Sequence, residues 1–359
     1  MPIDVSNKAK CFGCGACSHI CPQGAIKMVS DPEGFQYPQI DATLCTQCEM
    51  CVSACPAYES PSGEKGKAFA LRCNDSDLLY QSTSGGAFSL LSQKVLDEGG
   101  LVFGAVFDES FKVVHKGSDD ISGMRKSKYV QSDMTKAYSE VKEALNQNRK
   151  VLFSGTPCQC HALLKTVTEH RENLITVSVV CRGVSSPGLW KQYVSFLEKD
   201  GKLKAFCFRD KRSNNSGHTV SYSTDKGETA VTMDKDPFSS MYLKCLTLRP
   251  SCYSCPYTKT DIPSDITIGD FWGIEKTYPD FNDGKGVSLV IARTEEGKKL
   301  LKKCENDARI LPCPNGMEMQ SALKESAPKS ILRMLLFKEF AASGIDGVLK
   351  KFGGLQREQ

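Results

Sequence analysis

The sequence lacks any long apolar run. The longest, such as Leu174–Val180, have the length of a strand and are far too short to span a bilayer. The amino terminus, MPIDVSNKAK, has no apolar stretch and so does not resemble a secretory signal peptide. Without an export signal, eighteen cysteines indicate reduced thiols and metal binding, not disulfides. The sequence therefore predicts a cytoplasmic protein with no membrane span.

A strong excess of charge of either sign is also lacking. The chain has 46 basic and 42 acidic side chains, and the resulting formal charge of +4 does not suggest a nucleic-acid partner. A composition of 40% hydrophobic and 25% charged residues is ordinary for a globular protein. The length of 359 residues is enough for roughly two or three domains.

Near the amino terminus, eight of the cysteines form two near-identical runs, each reading C-x2-C-x2-C-x3-C-P. Bacterial ferredoxins hold two cubane 4Fe-4S clusters with this spacing, and the fourth cysteine of each run ligates the other cluster. The predicted ligands are Cys11, Cys14, Cys17 and Cys55 for one cluster, and Cys21, Cys45, Cys48 and Cys51 for the other. A zinc site would need only two CxxC pairs, and a disulfide framework has no reason to repeat one spacing twice.

A stretch rich in proline, glycine, serine and charge follows the second run and predicts a linker over residues 61–67. Beyond it, strands and helices alternate, which predicts parallel pairing in one sheet. The predicted fold is an α+β ferredoxin head followed by an α/β body with a mixed sheet. The predicted divisions are a head over 1–60, the two parts of one body over 68–150 and 151–320, and a helical tail over 321–359.

Two predicted strands, Val151–Gly155 and Leu174–Val180, end in short motifs. These are Gly155-Thr-Pro-Cys-Gln159 and Cys181-Arg-Gly183. Because ligands bind at the carboxyl ends of parallel strands, we expect both motifs to line one site.

A helix is predicted from Ser84, as its N-cap, to Leu96. The bare amides of Ser84-Gly85-Gly86 and the positive end of the helix dipole suit a phosphate group. A plain capped turn would explain the same residues.

Together, six segments resemble the family of beta subunits of coenzyme F420-reducing hydrogenase and dehydrogenase. They are Thr83-Ser-Gly-Gly-Ala87, Ser127-Lys-Tyr-Val-Gln-Ser132, Gly155-Thr-Pro-Cys-Gln159, Cys181-Arg-Gly183, Cys252-x-x-Cys255 and Ser264-Asp-Ile-Thr-Ile-Gly-Asp270. The resemblance implies a noncovalent FAD and at least one 4Fe-4S cluster in the body. It also implies electron exchange between one-electron carriers and a two-electron organic partner, typically coenzyme F420. Relatives with other substrates show that the fold does not fix the substrate.

The resemblance implies that the motifs at the strand ends and at the start of the helix contact FAD. The predicted cofactor-binding residues are Ser84, Gly85, Gly86, Lys128, Gly155, Thr156, Pro157, Cys158 and Gln159. Lys128 either reaches a flavin carbonyl or phosphate or is a surface lysine. The segment 155–159 either binds the edge of the ring or forms only a tight strand–helix turn.

A third 4Fe-4S cluster is predicted in the body. Its predicted ligands are Cys181, Cys245, Cys252 and Cys255, and the fourth ligand stays open between Cys181 and Cys158. Cys158 could equally be a small packing residue under the flavin. His161 is either a proton donor beside the flavin or an ordinary helix residue.

The sequence therefore predicts an oxidoreductase with FAD and 4Fe-4S clusters. It would pass electrons between coenzyme F420, or a similar hydride carrier, and a ferredoxin or a redox catalytic subunit. One alternative is an electron-transfer module that has no substrate site and docks to a separate catalytic subunit. Another is a ferredoxin-dependent reductase of a different organic substrate. The direction of electron flow and the oligomeric state stay open.

Overall fold

The computed structural model describes residues 3–4, 6–212 and 218–354. The first half of the chain contains α1 (Ala16–Ile20), β1 (Ile26–Ser30), β2 (Gln36–Ile40), α2 (Met50–Ser53), β3 (Lys67–Cys73), α3 (Ser76–Gln81), α4 (Ala87–Leu96), β4 (Leu101–Phe107), β5 (Val113–Ser118), α5 (Ala137–Asn146), β6 (Val151–Gly155), α6 (Pro157–Thr166) and β7 (Leu174–Val179). The second half contains α7 (Pro187–Leu197), β8 (Leu203–Asp210), β9 (Thr219–Thr224), β10 (Gly227–Thr232), α8 (Pro237–Leu243), β11 (Ile266–Asp270), α9 (Ile274–Thr277), β12 (Ser288–Ala292), α10 (Glu295–Lys302), β13 (Ala308–Pro312) and α11 (Ile331–Phe352).

The body is an α/β fold built on one mixed sheet of eight strands in the order β13-β3-β12-β11-β7-β6-β4-β5. Neighbouring strands are parallel from β11 through β7 and β6 to β4, and antiparallel elsewhere. The central strands β6 and β7 are buried almost throughout, as their continuous apolar sequences predict for strands covered on both faces. Strands from both predicted parts of the body, 68–150 and 151–320, belong to this sheet.

A second, antiparallel sheet contains β8, β9 and β10. It packs with α7, α8 and α11 around an aromatic core, in which the Trp190 ring lies 4.8 Å from that of Phe206 and 5.1 Å from that of Phe238, centroid to centroid. Residues 213–217, between β8 and β9, lie outside the described residues. Helix α11 contains one non-helical residue, Gly344, and no helix of the described ranges is both long and apolar enough to cross a bilayer.

The head packs directly on the body. Its hairpin β1–β2 places Phe35 in the aromatic core, where the side chain is fully buried. The turn residue Gly34 has φ +82°, and a Cβ there would lie 2.4 Å from the Cα of Gly188 at the start of α7. Glu33 accepts two hydrogen bonds from Arg333 of α11. The hairpin turn therefore fixes the head against two helices of the body.

The predicted linker packs on the body as well. A Cβ at Gly63 would lie 2.2 Å from the carbonyl oxygen of Ile262, so this segment fits closely against the chain after α8. Strand β3 begins at Lys67, at the end of the segment predicted as linker.

Candidate functional site

A cleft with about 250 Å³ of internal space opens at the carboxyl ends of β6, β7 and β11. At the end of β6 it is lined by Gly155, Thr156 and Gln159, and the residues after β7 that line it include Cys181 and Gly183. The two strand-end motifs therefore lie at one site.

The segment before α4 forms one side of the cleft, but not as predicted. The helix begins at Ala87 with Gly86 as its N-cap, in the left-handed conformation at φ +83°, so the prediction of Ser84 as N-cap is wrong. Ser84 has φ +53°, and its hydroxyl donates to the carbonyl of Val287. Ser84 and Gly86 line the cleft, together with the first turn of α4.

Gly85 has a packing role. Its amide donates to the Ser288 Oγ at 2.9 Å. A Cβ at this position would lie 2.1 Å from the carbonyl oxygen of Leu71 and 2.5 Å from the Ser288 nitrogen. The glycine therefore lets the loop approach β3 and β12, and its amide is already used by the protein.

One wall of the cleft carries a directed chain of hydrogen bonds. His115 Nε2 lies 2.9 Å from the Ser154 carbonyl, which can only accept, so His115 Nδ1 must accept from the Ser132 hydroxyl at 2.8 Å. Ser132 in turn accepts from Gln159 Nε2 at 2.8 Å, and Gln159 Oε1 accepts from the Thr156 amide at 3.0 Å. Burial lowers the pKa of His115 to about 4, which keeps the ring neutral at pH 7. The wall is thus a fixed array of neutral polar groups.

The sequence reasoning missed His115. The signal was present, because alternation along β5 places Val113 and His115 on the same, buried side of the strand.

The lining of the cleft is strongly basic. Five basic side chains and one carboxylate face it: Arg125, Lys126, Lys128, Arg182, Arg209 and Asp270. Lys128 donates to the carbonyls of Gly123 and Arg125, and burial lowers its pKa to about 7. Such a lining favours an anionic ligand.

An ion pair and two stacked rings complete the cleft. Arg209 Nη1 lies 2.9 Å from Asp270 Oδ2. Burial alone would raise the pKa of Asp270, but Arg209 holds it below the ordinary value. The rings of Tyr129 and Tyr242 stack with centroids 4.5 Å apart, and both line the cleft. They provide an apolar surface next to the charged one.

A second, smaller cavity adjoins the cleft and is lined by four thiols: Cys158, Cys181, Cys252 and Cys255. The two sites share the wall made by Thr156, Gln159 and Val179–Val184. Burial, together with the other thiols of this set, raises the pKa of Cys158 and of Cys252 to about 11. The predicted contact residues Pro157 and Cys158 lie on the thiol side of the shared wall.

Cys245 lies outside this cavity, in contrast to its prediction as a ligand. Its backbone is left-handed at φ +57°, its Sγ accepts from Arg182 Nε at 3.3 Å, and it packs with Tyr242 and Leu248. The fourth thiol at the cavity is Cys158, in the first turn of α6.

The head cysteines lie close to one another, and their division into two ligand sets stays a prediction. Cys17 is buried. Its burial is the largest cause that raises its pKa to about 12, and the nearby thiols of Cys11, Cys55 and Cys51 contribute to the same shift. The pKa of Cys14 is likewise raised by burial and by Cys17, Cys55 and Cys11. Cys21, Cys45, Cys48 and Cys51 line one small surface cavity, at which Cys48 is exposed. We call the predicted set of Cys11, Cys14, Cys17 and Cys55 the inner site, and the predicted set of Cys21, Cys45, Cys48 and Cys51 the outer site.

Among the described residues, no group of three or more His, Cys, Asp or Glu side chains is placed to hold a single metal ion.

His161 does not line the cleft. Its Nε2 donates to Glu59 at 3.0 Å and its Nδ1 accepts from the Tyr257 hydroxyl at 2.8 Å. Burial lowers its pKa, although Glu59 opposes this. It therefore joins α6 to the end of the head, and is not a proton donor beside the cleft.

Comparisons with known proteins match both parts of the chain. Residues 148–313 match the family described as the C terminus of the coenzyme F420 hydrogenase/dehydrogenase beta subunit, and residues 10–58 match a 4Fe-4S dicluster domain. In Methanosarcina mazei, one relative belongs to the F420H2 dehydrogenase as its F subunit, and it is 24% identical over 338 residues, covering 89% of each chain. An uncharacterized protein of Methanocaldococcus jannaschii is 23% identical over 357 residues, covering 84% of this chain and 88% of the other. A chain of the F420-reducing NiFe hydrogenase complex from Methanosarcina barkeri, solved after xenon derivatization, has 18% identity and a TM-score of 0.47, covering 81% of this chain and 92% of that chain.

Replacing Gly85 by alanine should destabilise the protein, because its Cβ would collide with the backbone of β3 and β12. Overpacking of this kind costs about 1–3 kcal/mol. Gly123→Ala is the matched control, since its Cβ would meet nothing closer than 3.7 Å. Chemical unfolding under anaerobic conditions, followed by circular dichroism, measures both. A Gly85→Ala midpoint equal to that of the wild type would contradict the packing role.

Lys128 should make stability depend on pH. Because its folded pKa is about 7 and an unfolded lysine titrates at 10.5, the unfolded chain binds more protons between these values. The folded state therefore gains stability as pH rises from about 7 towards 10. Lys128→Met should lose this gain, whereas Lys116→Met, at an exposed position of β5, should follow the wild type. Unfolding free energies of the flavin-free chain at pH 7 and pH 9 test this, and equal slopes for all three proteins would refute it.

Proposed function

We propose that this chain, which belongs to the family of coenzyme F420 hydrogenase/dehydrogenase beta subunits and carries a 4Fe-4S dicluster domain, is an iron–sulfur flavoprotein oxidoreductase. It passes electrons between an organic hydride carrier and one-electron carriers. The observation that carries the proposal is the wall shared by the cleft and the four-thiol cavity. Because of this shared wall, the proposed organic redox site and the proposed metal site lie next to each other at one edge of the sheet.

The cleft fits FAD on two counts. Its basic lining suits a diphosphate, and the first turn of α4 adds the positive end of a helix dipole. The stacked Tyr129 and Tyr242 offer an apolar face for a planar ring. When bound, FAD supplies the exchange between a two-electron hydride and single electrons.

The polar wall of the cleft would orient the flavin ring. Because Gln159 is held by both Ser132 and Thr156, it cannot rotate freely, and it presents a fixed amide edge to the cleft. The neutral His115 anchors the other end of the chain of hydrogen bonds and adds no charge. Such fixed groups orient a ring without changing its protonation.

The four-thiol cavity fits a third 4Fe-4S cluster, with Cys158, Cys181, Cys252 and Cys255 as ligands. Thiolate is the ligand form, and iron must therefore displace protons whose pKa values burial has raised. The mainly apolar cavity would limit solvent access to the cluster. The inner and outer sites of the head continue the path to the exposed Cys48, from which electrons would pass to a ferredoxin or a catalytic subunit.

Coenzyme F420 is the proposed hydride carrier, because a relative covering 89% of this chain is named for its reduced form. The basic lining of the cleft supports an anionic partner of this kind. All eighteen cysteines are free, which supports a reducing, cytoplasmic environment.

Cofactor analysis of the anaerobically purified chain tests the ligand assignment. We expect one flavin and about twelve irons per chain, four for each of three cubanes. Cys158→Ser should lose about four irons, whereas Cys245→Ser, at a buried thiol outside the cavity, should keep all of them. The reverse pattern would contradict the assignment of Cys158. A wild-type chain with full iron but no flavin would favour an electron-transfer module that lacks its own substrate site.

Turnover tests the hydride carrier. Reduced coenzyme F420 and an oxidised ferredoxin should react only when the chain is present. Each reduced F420 gives up two electrons and two protons, and the two electrons reduce two ferredoxins, one electron each. The rise of F420 absorbance measures the rate, and Cys158→Ser should abolish it. No spectral change with the flavin- and iron-replete wild type would remove coenzyme F420 from the proposal and favour a different organic substrate.

A further inference from the structure

Arg249 lies at the contact between head and body and is almost fully buried, with 1% of its surface exposed. It directly precedes the short 3-10 helix Pro250–Ser254 that carries Cys252. The sequence reasoning gave it no role.

The guanidinium has an unusual set of partners. Its Nε donates to the Cys11 carbonyl at 2.7 Å, its Nη1 to Gln131 Oε1 at 3.0 Å, and its Nη2 to the Gln36 carbonyl at 3.0 Å. Nη2 also lies 3.5 Å from the Cys11 Sγ, and the guanidinium carbon lies 4.2 Å above the centre of the Tyr37 ring. None of these groups carries a carboxylate, so the hydrogen bonds are satisfied while the charge is not neutralised. A buried charge without a counter-charge is costly.

Two thiol sets face this charge from opposite sides. Cys11, which Arg249 contacts, is a ligand of the inner site. Arg249 also lines the cavity of the body cluster, where its charge opposes the effect of burial on the pKa of Cys158 and Cys252. Thiolate-ligated clusters on both sides would therefore supply the negative charge that Arg249 lacks among its hydrogen-bond partners.

The surrounding chain is shaped to this side chain. Gly13, with φ +64°, follows Cys11 in the ligand loop, and a Cβ there would lie 2.5 Å from Arg249 Nη1. Gln131 fixes the same loop by donating to the carbonyls of Phe12 and Gly13. The loop and Arg249 thus form one packed unit.

We propose that Arg249 sets the reduction potentials of the inner head cluster and the body cluster together. An iron–sulfur cluster becomes more negative by one charge when it takes an electron, and its potential depends on nearby charge and on hydrogen bonds to its sulfurs. A fixed cation between two clusters stabilises the reduced form of each. Arg249 is accordingly a positioning residue for electron transfer from the body to the head, and this inference rests on the proposed function.

Redox titration followed by electron paramagnetic resonance tests the proposal on the full chain, purified anaerobically. Arg249→Met and Arg249→Gln remove the charge, Arg249→Lys keeps it, and Arg309→Met is the control, an arginine stacked on Phe281 away from the thiol sites. In both uncharged variants, two of the three midpoint potentials should become more negative, with little change in the third. Arg249→Lys should restore them in part, and Arg309→Met should match the wild type.

Iron and flavin contents are measured on the same samples, which separates the two levels of the proposal. A wild type without the third cluster would remove the proposed function itself. Uncharged variants that hold all their iron and keep wild-type potentials would overturn the role of Arg249 alone. If neither uncharged variant retains its iron, Arg249→Lys decides, because a lysine, unlike an arginine, can lose its charge as the pH rises. Two potentials that become more negative than the wild-type values at high pH support the role, and potentials that follow the wild type at every pH overturn it.

Discussion

The parallel pairing of β6 with β7 is the constraint on which both sites depend. Its register places Gly155 opposite Ser178, so the two strands reach the same edge of the sheet together. The chain then turns away after each strand, and the segments beyond Gly155 and Ser178 form a common wall. One surface of that wall faces the large cleft and the other faces the four thiols. The two cavities therefore adjoin because two strands end side by side, and no special connecting element is needed.

The second constraint is the fixed position of the head. Phe35 is fully buried in the aromatic core of the body, and Gly34 touches the backbone of Gly188. The Tyr138 hydroxyl of α5 donates to the carbonyl of Cys14 at 2.9 Å, so a ligand loop is held from the body as well. A head on a flexible linker would sample many distances from the thiol cavity. Here the close packing at the contact allows one arrangement, because the glycines leave no free space.

The sequence predicted the parts that depend on local pattern. The apolar runs gave the bounds of β6 and nearly those of β7. The repeated cysteine spacing assigned the inner and outer sets, and that division stays a prediction. For the body cluster, the fourth ligand was open between Cys181 and Cys158, and the structure places both thiols at the cavity. Cys245 is nearer in sequence to the CxxC pair, but a left-handed backbone and the contact with Arg182 keep its thiol away from the cavity.

Other features could be identified only from the folded structure. In the sequence, Gly85 is predicted to belong to a phosphate-binding turn. In the structure it packs against Leu71 and Ser288, which belong to strands that are distant along the chain. Arg249 has no local pattern at all, because its partners Cys11 and Gln131 lie far away along the chain. Long-range contacts of this kind cannot be found from spacing or periodicity.

The distribution of charge connects the fold with its cofactors. Five basic groups line the cleft against one carboxylate, burial lowers the pKa of Lys128, and Arg249 is buried with carbonyls, an amide and a thiol as its partners. Each arrangement costs free energy in the empty chain, because positive charge is held away from water without full compensation. The anionic cofactor and the thiolate-ligated clusters of the proposed function would supply the missing negative charge. Their binding would then stabilise the folded state, since a ligand that binds only the native chain shifts the folding equilibrium. On this proposal, the positive groups that destabilise the empty protein make its stability depend on the redox groups that it binds.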